Sequence, residues 1–445
     1  IRCDFADIFE VRQGRIIRRG RIATHWADRV LRNTYRDRDF CRELIVRPEK
    51  CDAPPVYANG RISFEIALGP GEAWHSCLLY DLVDGKQRIN APAECFADAA
   101  ATLAGQALAQ WRTSVPRVEC SNHGFSRMHS QAVDDIAALR LPIGGYDSKR
   151  FMPAAGLPWY IAPFGRDSLI VSLQTLPLNP DLAIGALEAL AALQARERDD
   201  YRDAEPGKMP HELRRGELAH FKLVPHTPYY GTADATPLYL VALHAAWRRT
   251  GDRALLEQYL DTARRCLDWI DNYGDRDGDG FQEYQTRSSA GYENQSWKDS
   301  GDAVLYPDGT HVKGPKALCE LQGYVYDAWR RMAEAFDELG EADRAAQLRG
   351  KAADLFRRFN DVFWDEASGF YAYALDGDKR PVLSVASNPG HCLWSGIVPA
   401  ERAVRVIARL FQPDMASGWG VRTLSSAHRA FNPYSYQNGS VWPHD

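Results

Sequence analysis

Hydrophobic and polar positions follow two different periods along this chain, and the change between them marks its domain plan. Up to about residue 80 the pattern is short and alternating. Asp7-Ile8-Phe9-Glu10-Val11-Arg12 roughly alternates, Gly14 turns it, and Arg15-Ile16-Ile17 continues. Arg61-Ile62-Ser63-Phe64-Glu65-Ile66-Ala67-Leu68 has a period of two. Gly69-Pro70-Gly71-Glu72 turns it, and residues 74–80 read as the return strand. Alternation places apolar side chains on one face of a strand, so these segments predict β-structure. Residues 1–92 are expected to form an N-terminal β-sandwich domain, incomplete at its start.

The period then lengthens. Residues 93–113 are Ala-rich and helix-like, and 126–139 form a second amphipathic stretch. Residues 93–145 thus read as a helical linker, ended by Pro142-Ile143-Gly144-Gly145. From about residue 157 onward, helices are predicted over 167–176, 180–196, 235–250, 253–273, 314–339, 341–363 and 400–411. Two kinds of loop separate them. Thr250-Gly251-Asp252 and Leu339-Gly340-Glu341 are short and plain, whereas others are long and rich in Trp, Tyr, His, Asp and Glu. That asymmetry predicts antiparallel helix pairs, closed into a ring with the long loops gathered at one end. This domain spans 146–445.

Composition narrows the class. Hydrophobic residues make up 45% of the 445 and charged residues 25%, which excludes disordered and collagen-like chains. A net charge of -5 and a pI near 6.2 argue against a nucleic-acid partner. No apolar run approaches a membrane span, so no membrane partner is expected. The nine cysteines are scattered without a Cys-x-x-Cys pair, which fits free thiols in a cytoplasmic protein and no zinc site. The chain begins with Ile1, so its natural start is expected to lie upstream.

The candidate chemistry lies in the long loops. Asn294-Gln295-Ser296-Trp297-Lys298-Asp299-Ser300-Gly301-Asp302 packs a ring, two amides, a cation and two carboxylates into nine residues. That mix suits acid–base work on a neutral, hydroxyl-rich substrate, although its acids could simply cap a following helix. In Trp159-Tyr160-Ile161-Ala162-Pro163-Phe164-Gly165-Arg166-Asp167, Arg166 and Asp167 could clamp vicinal sugar hydroxyls, one donating and one accepting. Trp159 or Phe164 would supply an apolar wall. Glu212 follows Pro210 and His211, and reads either as a sugar contact or as the partner of Lys208 or Arg215. Asp234 opens a helix and is equally well a cap or a ligand contact.

Asp275-Arg276-Asp277-Gly278-Asp279-Gly280 begins like a calcium loop, but its twelfth position is Thr286 rather than a bidentate Glu. A tight Asp/Gly turn is the stronger reading, and no metal or other cofactor is expected. Glu283 follows it. His391, after Ser387-Asn388-Pro389-Gly390, and Trp419, in Ser417-Gly418-Trp419-Gly420, are further polar or aromatic readers in loops. The chain closes on a second dense cluster, Tyr434-Ser435-Tyr436-Gln437-Asn438-Gly439-Ser440-Val441-Trp442-Pro443-His444-Asp445. Phosphate-loop, serine-elbow and zincin motifs are missing from the sequence.

Four stretches together resemble the bacterial amylo-α-1,6-glucosidase or glycogen-debranching-enzyme-like family. They are residues 4–12, 163–168, 294–300 and 436–445, in the family's order and across nearly the whole chain. The resemblance implies an N-terminal β-sandwich followed by an (α/α)6 toroid, whose last helices are expected to lie beyond Asp445. It implies an inverting glycoside hydrolase with Asp299 as general acid and Asp445 as general base. Arg166 and Asp167 would hold the sugar whose bond is cut, Trp297, Lys298, Gln437 and Trp442 would line the pocket, and Asp302 is an alternative acid. The substrate would be an oligosaccharide or α-glucan.

In that mechanism the two carboxyls should stand roughly 6.5–9.5 Å apart. The acid needs a raised pKa, from Trp297 or Asp302, and Lys298 must point away. A permanent cation buried against either carboxyl would overturn the hydrolase reading. The alternatives are a carbohydrate-binding toroid without activity and a glycoside phosphorylase on the same fold. The sequence leaves the linkage and the oligomeric state open.

Overall fold

The computed structural model describes residues 3–91, 102–145 and 148–442. It opens with a helix where a strand-like segment was expected. α1 (Ile8–Arg12) is capped by Asp7, whose carboxylate accepts the Phe9 N–H at 3.0 Å. Over so few residues alternation fits either period, and the cap decides. Then come β1 (Arg21–Ala27), β2 (Val30–Asp37), β3 (Phe40–Glu49), the hairpin β4 (Val56–Ala58) and β5 (Arg61–Ser63), β6 (Cys77–Asp84) and β7 (Gln87–Ile89). β1-β2-β3-β6-β7 form an antiparallel five-stranded sheet, with β4-β5 as a separate hairpin. Asp28 and Arg29 both take positive φ between β1 and β2, the turn geometry that matches strand twist. The strand expected over 61–68 stops at Ser63 and pairs with β4, and the strand expected as its return begins at Cys77 rather than Trp74 and pairs with β3 instead. Residues between them leave the ladder around Gly69-Pro70-Gly71, and Phe64 rests on Trp74 at 5.1 Å.

In the linker, α2 (Leu103–Ser114) and α3 (His123–Ala138) are joined by the Trp111 indole donating to the Val133 carbonyl at 2.9 Å. The part of the expected first helix over 93–101 lies outside the described residues. A hairpin of β8 (Arg140–Pro142) and β9 (Phe151–Pro153) follows.

The C-terminal part is helical. It comprises α4 (Arg166–Thr175), α5 (Asp181–Leu193), the short α6 (Glu217–His220), α7 (Ala235–Thr250), α8 (Arg253–Trp269), α9 (Cys319–Glu338), α10 (Ala342–Val362), α11 (Asn388–Ser395) and α12 (Ala400–Leu410). α8 ends in a π turn, Ile270–Gly274, which accounts for the longer helix expected there. α9 starts at Cys319, after Gly314 and Pro315 have broken the pattern. α11 falls in a stretch expected to be loop, because Pro389 and Gly390 look like breakers. Pro is well tolerated in a first helical turn, which is where Pro389 sits.

Among the described residues the long helices pair as α4–α5, α7–α8, α9–α10 and α11–α12. Their first members also neighbour one another in the order α4, α7, α9, α11. α7 and α9 are buried on nearly all sides, with Leu238, Tyr239, Leu240, Val241, Tyr324 and Val325 fully enclosed. These four inner helices start at one end of the domain, and the long loops that lead into them collect there. The sheet packs beside that end. Tyr35 donates to Glu217 at 2.5 Å, and Phe40 meets His220 and Phe221 with ring centroids 5.3 and 6.2 Å away. No helix among the described residues is long and apolar enough to cross a membrane.

Phe336 of α9 is wholly buried in the core shared with α10. Phe336→Ala should lower the stability of the helical domain by about 3–5 kcal/mol, read from urea unfolding. A loss under about 1 kcal/mol would mean that this packing does not hold the domain together.

Candidate active site

Gly165 and Arg166 build the floor of the loop-lined end. A Cβ on Gly165 would stand 2.0 Å from the Pro210 carbonyl, so only glycine lets the 157–165 and 208–212 loops close on each other. The Gly165 N–H donates to the His211 carbonyl at 3.0 Å. Arg166, the first residue of α4, is thereby buried. Its Nη1 donates to Asp234 Oδ2 at 3.1 Å and to the Ser296 carbonyl at 2.8 Å, and its Nη2 donates to Asp299 Oδ2 at 2.9 Å. Asp234 is fully enclosed and also accepts the Thr232 hydroxyl at 2.5 Å. It precedes α7 but makes no side-chain cap. Asp234 therefore serves the arginine rather than its helix.

Asp299 meets a buried permanent cation, the condition expected to overturn the hydrolase reading. That expectation is too strict, because the carboxyl is nevertheless held above the usual carboxylate range. Burial is the largest cause. Arg166 opposes it, while the charges of Asp167 and Asp234 push the same way as burial. The arginine is shared between two carboxylates and a carbonyl, so Asp299 receives only part of its charge. Gln437 steadies the loop from the far end of the chain. Its Nε2 donates to the Trp297 carbonyl at 3.0 Å and lies 3.5 Å from Asp299 Oδ1, and its Oε1 accepts the Ser300 N–H at 2.8 Å. Asp302 is exposed and touches this network only through its carbonyl, which accepts from Asn438 at 2.9 Å. The anionic neighbours of Asp299 are thus Asp167 and Asp234, not Asp302.

The side wall comes from 211–214, 226–229 and 292. His211 Nε2 lies 3.9 Å from Asp299 Oδ2. Its ring is boxed by Phe164, Tyr229 and Tyr292 at 5.8, 6.0 and 5.4 Å. Burial, with Arg166 next, holds the His211 imidazole neutral, and burial pulls His226 down to about 3. Glu212 is buried and gripped at both oxygens by Arg214, at 2.6 and 2.8 Å. Its expected partners, Lys208 and Arg215, do not take it; Lys208 instead lies 3.6 Å from Glu205. Spacing along a helix does not apply here, because 212–214 run as extended loop.

Rings form the opposite wall. Trp297 is buried, stacks on His391 at 6.0 Å and meets Trp442 edge-on at 6.0 Å. His391 Nδ1 and the Tyr324 hydroxyl are 2.7 Å apart. Lys298 turns its ammonium to the Thr423 carbonyl, 5.2 Å from the Tyr373 ring centre. Beneath, the Ser296 hydroxyl donates to the sealed Glu320 at 2.5 Å, a carboxyl that burial holds above its usual range.

The other candidates stand apart. Glu283 is buried in an ion pair with Lys379, whose ammonium also lies 2.9 Å from Asp277 and 2.8 Å from Asp279. That lysine sits beside the Asp275, Asp277 and Asp279 carboxylates, which lie within 4.8 Å of one another, a grouping that could hold a metal ion. Trp419 is 95% exposed at the tip of the 416–421 hairpin and lines no part of this cluster. Trp159 is half-buried in the loop before Phe164. Asp445, with Pro443 and His444, lies outside the described residues. The sequence reading missed His211, Arg214, Tyr292, Ser296 and Glu320. His211 carried a signal, in its place between Pro210 and Glu212, but a lone histidine is weak evidence.

Residues 166–444 match the family model described as the mannosylglycerate hydrolase MGH1-like glycoside hydrolase domain. Residues 1–79 match the N-terminal domain of some glycogen debranching enzymes. No curated protein matches the chain. A solved structure of GH63 mannosylglycerate hydrolase from Thermus thermophilus with Tris is 14% identical, at a TM-score of 0.49 over 70% of this chain and 84% of that one. Rhamnosidase from Klebsiella oxytoca with rhamnose bound is 10% identical, at a TM-score of 0.47 over 87% and 72%.

Arg166→Ala would leave Asp234 and Asp299 buried without their cation. Unfolding at neutral pH should then cost about 3–5 kcal/mol less than in the native protein. Without Arg166 the folded Asp299 carboxyl rises further above its unfolded value. Stability carried by a raised carboxyl is lost as pH rises through the folded value, so the variant should suffer more at pH 8 than at pH 5. Denaturant titrations at both pH values check this; a larger deficit in acid would contradict the charge balance.

Proposed function

The chain belongs to the family of mannosylglycerate hydrolase MGH1-like glycoside hydrolases, and on that premise we propose that it is an inverting α-glycosidase of the amylo-α-1,6-glucosidase type. The observation that carries the reading is Asp299. It is a carboxyl held above its usual range, reachable from the loop-lined end and fixed by contacts from distant parts of the chain. In this role Asp299 keeps a proton and passes it to the leaving glycosidic oxygen. Asp445 takes a proton from the water that attacks the opposite face of the sugar, so the product carries the inverted anomeric configuration. Arg166 and Asp167 hold the sugar at the reacting position, with the uncharged His211 beside it. His391 and Trp442 offer ring faces for the sugar to pack on, backed by the buried Trp297.

Arg166 also limits the acid. A carboxyl pushed too high would bind its proton too tightly to give it up, and the best catalytic pKa lies near the working pH. The likeness of residues 1–79 to the N-terminal domain of glycogen debranching enzymes supports an α-glucan over other glycosides.

The test is a substrate panel for the full-length protein: branched and linear α-glucans, trehalose, small α-glucosides and mannosylglycerate, with the product anomer followed by NMR. The expected result is release of the inverted sugar from a branched α-glucan. Asp299→Asn should lower kcat by about a hundredfold or more. A retained anomer, or full turnover in Asp299→Asn, would overturn the assignment.

A further inference from the structure

We propose that the N-terminal domain shapes the sugar site through one cation–ring contact, with Phe9 and Arg214 as positioning residues. The Arg214 guanidinium lies over the Phe9 ring, 3.5 Å from its centre. Its nitrogens reach away from the N-terminal domain. They take both oxygens of Glu212, and Nη2 also donates to the Tyr292 hydroxyl at 3.2 Å. That hydroxyl is 3.0 Å from His226 Nε2, which lies 3.4 Å from Glu212. The Tyr292 ring stands edge-on to His211, and His211 Nε2 is 3.9 Å from Asp299 Oδ2. A continuous line of contacts thus runs from α1 to the acid.

The line is anchored where it begins. The Leu218 N–H lies 3.4 Å from Asp7 Oδ2, and a Cβ on Gly216 would stand 2.2 Å from that oxygen, so α1 seats closely on the 214–218 segment. Glu10 accepts from Arg19 at 2.5 Å, and Arg19 also reaches Glu217 at 3.5 Å. α1 therefore cannot slide without moving this segment.

The physics assigns Phe9 more than packing. Glu212 is buried and needs a bidentate cation to stay charged there. A guanidinium serves that geometry only while its plane is fixed, and Phe9 covers the face that would otherwise be free to turn. With the ring gone, Arg214 can rotate, Glu212 loses one of its two bonds, and the Tyr292–His211 wall moves relative to Asp299.

The inference rests on the glycosidase reading of this site, and the experiment separates the two. Full-length Phe9→Leu keeps the apolar bulk and removes the ring; Phe9→Tyr keeps the ring. KM for the best substrate of the panel should rise about tenfold in Phe9→Leu, the scale of one such contact, with kcat little changed. Phe9→Tyr should behave as the native protein. Hydrogen exchange should quicken across 209–230 and 288–296 in Phe9→Leu alone. If the native protein turns over nothing, the glycosidase reading has failed and the exchange result decides this inference by itself. Faster exchange confined to 3–20, or equal effects of the Leu and Tyr variants, would overturn it.

Discussion

One buried guanidinium orders this site. Arg166 takes a carboxylate from the start of α7, a carbonyl from the 294–302 loop and a second carboxylate from the same loop. Burying a cation is costly unless its bonds are satisfied, so the loops are constrained to arrive where the arginine needs them. The stoichiometry matters as much as the geometry. One positive charge faces Asp234 and Asp299, with Asp167 close by. Negative charge is in excess, and at Asp299 that excess adds to burial in favouring the protonated carboxyl. The contact that assembles the loops also poises the acid.

The rest of the lining is kept uncharged by similar means. His211 and His226 sit among rings, and burial denies them protons at neutral pH. Glu212, whose carboxyl burial pushes above its usual range, is spent on Arg214, and Lys298 is turned to the Thr423 carbonyl. Around Asp299 and its charged neighbours Arg166 and Asp167, the centre is lined by imidazoles, amides and ring faces. A neutral polyhydroxyl molecule can pack on such a surface without desolvating fixed charges of its own.

Much of the helical domain was legible because its helices are long and periodic; the span of α7 was read to the residue, and α10 and α12 nearly so. Short elements were not. α1 and α11 depend on an Asp cap and a first-turn Pro, which override local pattern. In the site, loop composition singled out 294–302 and 163–168, and the structure brings those stretches together with Gln437. It could not supply direction. Glu283 reads like a ligand until Lys379, 96 residues on, is seen to occupy it. Trp419 reads like a sugar platform but projects into solvent. Glu212 looked for its cation at helical spacing in a segment that is not a helix, and found Arg214 two residues away. Partner choice is set by how loops cross, which no local pattern encodes.

Accessibility separates Asp299 from the other acids at this end of the domain. Asp234 and Glu320 stand at the starts of α7 and α9, where the helix dipole favours a negative group, and both are sealed from solvent. A sealed carboxyl can organise its neighbours but cannot hand a proton to a ligand. Asp302 is open but has none of the buried surroundings that would hold its proton. Asp299 lies between these extremes, with about a fifth of its side chain exposed (19%) and the remainder against Arg166 and Gln437. It also lies in a loop rather than at a helix start, so no dipole favours its ionised form. Partial burial raises its proton affinity, and partial exposure leaves the proton a way out. That combination of partial exposure and raised proton affinity is what the proposed role of Asp299 requires.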